Sequence, residues 1–178
     1  MAAIRFGPAT VKMAEYGSTP ADVGALSVDA DVEFAIDGDI VEFETQAYAA
    51  ADRAYLAAES ATLDFTVRDA DVNKLVWLIG LGEAIDITDD TVNSKKYFER
   101  GGTVQEMPYF AVDVEQEQSP GGTKKDIIHI LKAYVVPGSV KISTNRGKFR
   151  ECSVQLKCLR DPDDSTHPNA VFWYEEQY

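Results

Sequence analysis

The sequence predicts a mainly β protein, with antiparallel sheets, one flanking α-helix and extended arms or loops. Three observations carry this expectation. Apolar side chains recur at every second position through five segments, the pattern of strands with one buried face. Helical spacing of apolar residues stands out in one segment, around 71–79. Finally, 178 residues with 45% hydrophobic side chains suffice for a sizeable core, and no composition shift or internal repeat divides the chain. A single domain over 1–178 is expected, with a candidate C-terminal arm over 162–178.

Thr10 to Met13 is a weak strand candidate, and Gly17-Ser18-Thr19-Pro20 reads as a loop. From Val28 to Ile36 the even positions are Val28, Ala30, Val32, Phe34 and Ile36, alternating with Asp29, Asp31, Glu33 and Ala35. Asp37-Gly38 then reads as a hairpin turn, since both residues tolerate the positive φ that two-residue turns need. The return strand sets Val41, Phe43 and Thr45 against Ile40, Glu42 and Glu44. The expected hairpin is apolar on one side and carries Asp29, Asp31, Glu33, Glu42 and Glu44 on the other. Gln46 to Ser60 is Ala-rich and stays open between a helix, on propensity, and an extended loop.

Leu63, Phe65 and Val67 alternate with Asp64, Thr66 and Arg68. Asp71 caps the expected helix, whose apolar face is Val72, Leu75, Val76 and Ile79, and Gly80 and Gly82 supply its end. The helix would cover one open side of the sheet. Lys95 to Glu99 is a second weak strand candidate. Phe110, Val112 and Val114 share one face of the next strand, and Ser119-Pro120-Gly121-Gly122 reads as an exposed hairpin tip. Ile127 to Val136 is nearly all apolar, which predicts a central strand or one buried on both faces. Lys148 to Leu159 puts Cys152, Val154, Leu156 and Cys158 on one face. Asp161 to Pro168 is a polar link to an aromatic tail, Val171-Phe172-Trp173-Tyr174.

Charge is the unusual quantity. Thirty Asp and Glu against 17 Lys and Arg give a net charge of -13. Residues 1–89 hold 5 basic and 17 acidic side chains, and residues 90–178 hold 12 and 13. Such a first half would repel nucleic acid, which is gripped by neutralising phosphates. Leu75 to Leu81, the longest apolar run, is far short of the roughly 20 residues of a membrane helix. Met1 to Phe6 lacks a basic region followed by an apolar stretch, so no secretory signal is expected.

Catalytic constellations are not apparent, and neither enzymatic activity nor a cofactor or metal is expected. His129 sits in an apolar strand and His167 in a loop, and both read as structural. Six residues of strand would hold Cys152 and Cys158 roughly 20 Å apart, too far for a disulfide, so two buried free thiols are expected. Asp69-Ala70-Asp71-Val72-Asn73 opens like a calcium loop, but Lys74 and Gly80 stand where such a loop needs Gly and Glu. The clusters Asp86, Asp89, Asp90 and Asp161, Asp163, Asp164 read as solvated loop carboxylates.

The acidic hairpin face has a plain reading as a solvated sheet surface. Like charges side by side on paired strands are mildly destabilising, however, and no Lys is interspersed. The order of landmarks resembles the major tail tube proteins of tailed bacteriophages. The similarity lies in Phe6-Gly7-Pro8-Ala9-Thr10-Val11, then Asp22-Val23-Gly24, the acidic alternating sheet, Val136-Pro137-Gly138-Ser139-Val140, and Phe149 to Leu159 ending in Arg160-Asp161-Pro162.

That resemblance implies a β-sandwich flanked by a helix, closing into homohexameric rings that stack into a hollow tail in the virion after assembly in the host cytoplasm. Its implied partners are further copies of itself, other tail proteins at the tube ends, and genomic DNA passing through without specific binding. No membrane insertion is implied. Six subunits giving four strands each would close a barrel roughly 48 Å across, wide enough for a duplex. Asp29, Asp31, Glu33, Glu42 and Glu44 would line the lumen. Pro120, Gly121, Lys124 and Lys125, with Phe172, Trp173 and Tyr174, are candidate inter-subunit arms. The alternatives are a tail-completion ring, a secretion-system tube, or a monomeric β-sandwich module that binds a ligand or cation.

Overall fold

The computed structural model describes residues 2–6, 9–26, 31–44, 51–68, 85–87, 95–97, 107–118, 123–143, 151–167 and 170–177. Among these the chain is mainly β. Its strands are β1 (Ala2–Phe6), β2 (Ala9–Glu15), β3 (Ala21–Asp22), β4 (Val32–Glu44), β5 (Ala51–Arg68), β6 (Ile85–Ile87), β7 (Lys95–Tyr97), β8 (Phe110–Glu117), β9 (Lys125–Val135), β10 (Lys141–Ser143), β11 (Glu151–Leu159) and β12 (Trp173–Gln177). The expected helix around 71–79 lies outside the described residues, as do Asp29 and the calcium-like segment.

The main sheet runs β1-β4-β5-β11-β9-β8-β2-β3, with β10 added to β11 and β12 to β9, and β6 pairs with β7 separately. All named pairings are antiparallel. After β3 the chain crosses back to β5, where Leu26 bridges Val67 and the Arg68 amide donates to the Ala25 carbonyl at 2.8 Å. The sheet thereby curls on itself. A single core joins Val11 and Met13 of β2, Val112 and Val114 of β8, and Ile128 and Ile130 of β9 to Phe34, Leu63, Phe65, Val67, Val154 and Leu156 across the molecule.

Period two located the inward faces correctly: Val32 and Phe34, then Leu63, Phe65 and Val67, and Cys152 through Cys158 at alternate positions are all buried. As expected, β9 is a central strand, between β11 and β8, and its neighbours Ile127 and Ile128 are both buried; the rest of the apolar run has a second cause. Phe110 pairs with Ala133 and Val112 with Ile130, so a bulge in β9 shifts the register. Core residues are Ile128 and Ile130 before it and Ala133 and Val135 after it. One extra residue switches the inward parity, and a strand that changes parity reads as continuous hydrophobicity.

The expected turn at Asp37-Gly38 is not there. Both residues lie inside β4, paired with Ser60 and Glu59 of β5, and the true hairpin joins β4 to β5 beyond Glu44. Sequence context misled because Asp-Gly favours a turn only where the flanking chain can fold back on itself. Here β4 has a longer partner in β5, and glycine inside a strand instead sits close to a bulge, between Asp39 and Ile40. The Ala-rich stretch from Ala51 to Ser60, left open between helix and loop, is strand. Pairing overrides helix propensity in that stretch.

Candidate functional site

The long hairpin is the most unusual element. β1 pairs with β4 only over Val32–Ile36, and β11 pairs with β5 only over Ala61–Arg68. From Asp37 to Glu44, and from Ala51 to Ser60, the described residues pair only with each other. A two-stranded ribbon about 25 Å long therefore extends from the sheet. Register shifts at Asp39/Ile40 and Phe43/Glu44 interrupt it, and such bulges increase twist.

β4 is continuous through Asp37-Gly38, so the strands that carry these carboxylates are not the two arms of a short hairpin, and Asp29 lies outside the described residues. Glu33, Glu42 and Glu44 lie along one uninterrupted strand, which Asp31 directly precedes. Asp31 and Glu33 sit at the ribbon's base, where Asp31 is exposed and Glu33 half-buried. Glu33 is directly opposite Asp64, and Asp64 is opposite Gln155. The Gln155 amide donates to Asp64 Oδ2 at 3.1 Å, and beside it the Thr66 and Ser153 hydroxyls are 2.9 Å apart. With Ser139 and Lys141 these residues line an open groove of about 560 Å³.

A second outward cluster crosses β2, β8, β9 and β12. Glu115 accepts from the Lys12 ammonium and from Lys125 Nζ, the latter at 3.0 Å. Partial burial pushes its carboxyl up, but the two ammonium groups outweigh that and hold it below the usual range. Beside it His129 Nδ1 lies 2.8 Å from Asp113 Oδ1, and Nε2 lies 3.2 Å from Glu175 Oε2. This network was missed in the sequence. Its signal is present, since Lys12, Asp113, His129 and their neighbours occupy outward positions of strands that pair, but strand order was needed to see it.

The candidate arms divide. Pro120 and Gly121 lie outside the described residues; Lys124 is exposed and Lys125 is held by Glu115. Phe172 packs edge-on against Phe34, ring centres 4.8 Å apart, and Trp173 stacks with both His129 and His167. Tyr174, by contrast, is half exposed. In the described chain the aromatic tail is thus docked on its own sheet as β12.

Asp161 corrects the reading of its cluster as solvated. It is buried, and both its oxygens receive the Tyr16 hydroxyl, at 2.8 and 2.9 Å. That hydrogen bond, then desolvation, raises the Tyr16 phenol above its ordinary value. Lys132 Nζ caps both Tyr16 and Tyr109, 4.8 and 4.7 Å from the ring centres. Asp164 accepts from the Thr166 and His167 amides, which hold its carboxyl below the usual range.

Cys152 and Cys158 are free and buried as expected, and burial pushes their thiols up to about 11 and about 12. Thiols so placed hold little thiolate at neutral pH and react slowly. Among the described residues no group of three or more His, Cys, Asp or Glu side chains is placed to hold a metal ion. No protein-family model matches the chain, and no curated protein matches its sequence.

Proposed function

We propose that this chain is a structural subunit that self-assembles into stacked hexameric rings, forming a hollow tail tube through which DNA passes. The reading rests on the resemblance in the order of sequence landmarks. The observation that carries it furthest is the ribbon of Asp37–Glu44 and Ala51–Ser60, which pairs only with itself among the described residues. A two-stranded ribbon is marginal in water when nothing packs on it, so a neighbouring subunit or ring is its natural support. The sheet also ends in β1 and the two-residue β3, and edges of this kind are suited to joining copies by a rotation that closes. Asp31 and Glu33, at the ribbon's base, would face the channel and repel phosphate.

Sedimentation and negative-stain microscopy of the purified chain test this. Rings or rods are expected. Replacing residues 40–57 by Asn-Gly joins Asp39 to Ala58 by a short turn and leaves the rest of the sheet intact; that variant should stay folded and monomeric. A strict monomer of the full chain at every concentration and salt would overturn the reading, and rods that persist without the ribbon would remove its assigned role.

A further inference from the structure

β12 is held to the sheet edge by only five residue pairs with β9, from Trp173↔His129 to Gln177↔Lys125. What distinguishes this strand is the histidine at its first pair. His129 presents Nδ1 to Asp113 of β8 at 2.8 Å and Nε2 to Glu175 of β12 at 3.2 Å. Its ring stacks on Trp173 at 3.9 Å and 15°. The indole also stacks with His167 at 4.8 Å, and His167 Nδ1 lies 3.3 Å from Asp164.

A neutral imidazole has one N–H and can donate to only one of two carboxylates. An imidazolium donates to both. The charged groups around it sharpen the difference. On the same outward face Lys12 of β2 and Lys125 of β9 both engage Glu115 of β8, leaving His129 as the cationic partner of Asp113 and Glu175, whose Oε1 also accepts from the Gln177 amide at 3.2 Å. Asp126 of β9 and Glu176 of β12 lie next along the two strands, beside Tyr174. With His129 protonated, Lys12, Lys125 and His129 match Asp113, Glu115 and Glu175 one for one. Without that proton the junction of β8, β9 and β12 carries an uncompensated carboxylate.

We propose that β12 is a proton-operated latch. Protonation of His129 ties Glu175 to Asp113 through one ring and fastens the C-terminal strand; deprotonation loosens it and leaves the Lys125–His129 edge of β9 open to another strand. The sign follows from the donor count: only the ring with both N–H groups donates to both carboxylates, so docking is stronger at the lower pH. The device acts within one chain, whether or not copies assemble.

Amide hydrogen exchange of residues 173–177 in the full-length protein at pH 5.5 and pH 8 tests it, after correction for the intrinsic rates. Protection should drop about tenfold at the higher pH, the order expected for one hydrogen bond lost, while the β8 amides stay unchanged. His129→Gln should abolish the pH step, Glu175→Gln should shrink it, and His167→Gln should keep it. Equal corrected protection at both pH values in the unmodified protein would overturn the latch, as would a full step in Glu175→Gln; should His129→Gln fail to fold, those two measurements decide.

Discussion

Gly138 follows Pro137 in the turn after β9, at φ 82, with the Ser139 amide donating to the Val136 carbonyl at 3.1 Å. Proline fixes the second position of such a turn, and the third needs positive φ. A Cβ added at Gly138 would meet nothing within 4 Å, so the cost of Gly138→Ala is conformational alone. Equilibrium urea unfolding should show a loss of about 1–2 kcal/mol with an unchanged m-value; a neutral result would mean that the turn relaxes to another form. At this scale the sequence was legible wherever one residue's chemistry decides, as with Pro-Gly. It was not legible for Asp161, whose burial depends on Tyr16, a residue from the opposite end of the chain.

Strands were legible where one face is buried and illegible where pairing alone makes them. Phe110 to Val114 and Glu151–Leu159 bury every second residue, and period two marks them without ambiguity. In the ribbon, Ile40 to Glu44 alternates and is strand as expected, whereas Ala51 to Ser60 has no such mark, because beyond Ile36 and Ala61 the two strands leave the sheet and pair with each other. Asp37-Gly38 therefore carried a local turn preference with nothing to contradict it. β12 was illegible for another reason: its ladder is short, and its attachment rests on aromatic contacts on both sides of the sheet. Phe172 supplies the inner one, edge-on to Phe34, which is fully buried. Phe172→Ala should then cost about 2 kcal/mol, less than a fully buried phenylalanine, and should speed exchange of the 173–177 amides at every pH. Loss of stability with unchanged exchange in β12 would show that Phe172 supports the core without anchoring the strand.

For the whole molecule the net charge of -13 is concentrated in the first half of the chain. Its electrostatic consequence depends on where subunits place it. Asp31 and Glu33 stand with Asp64 on the groove face at the base of β4, and the proposed tube turns that base toward the channel. Carboxylates there would keep DNA from condensing on the wall, whereas lysines would neutralise phosphates and release counterions, an interaction that weakens steeply with salt. Asp31→Lys with Glu33→Lys tests the placement against a control with the same charge change, Asp163→Lys with Glu176→Lys, at exposed positions elsewhere. Rods of both variants should assemble at unchanged width. Only the Asp31/Glu33 rods should retain short duplex DNA inside at roughly 50 mM salt, and they should release it by about 200 mM. Retention by both variants would assign the effect to net charge rather than to the channel wall. Retention by neither would place Asp31 and Glu33 away from the lumen, leaving the ribbon to define the assembly without them.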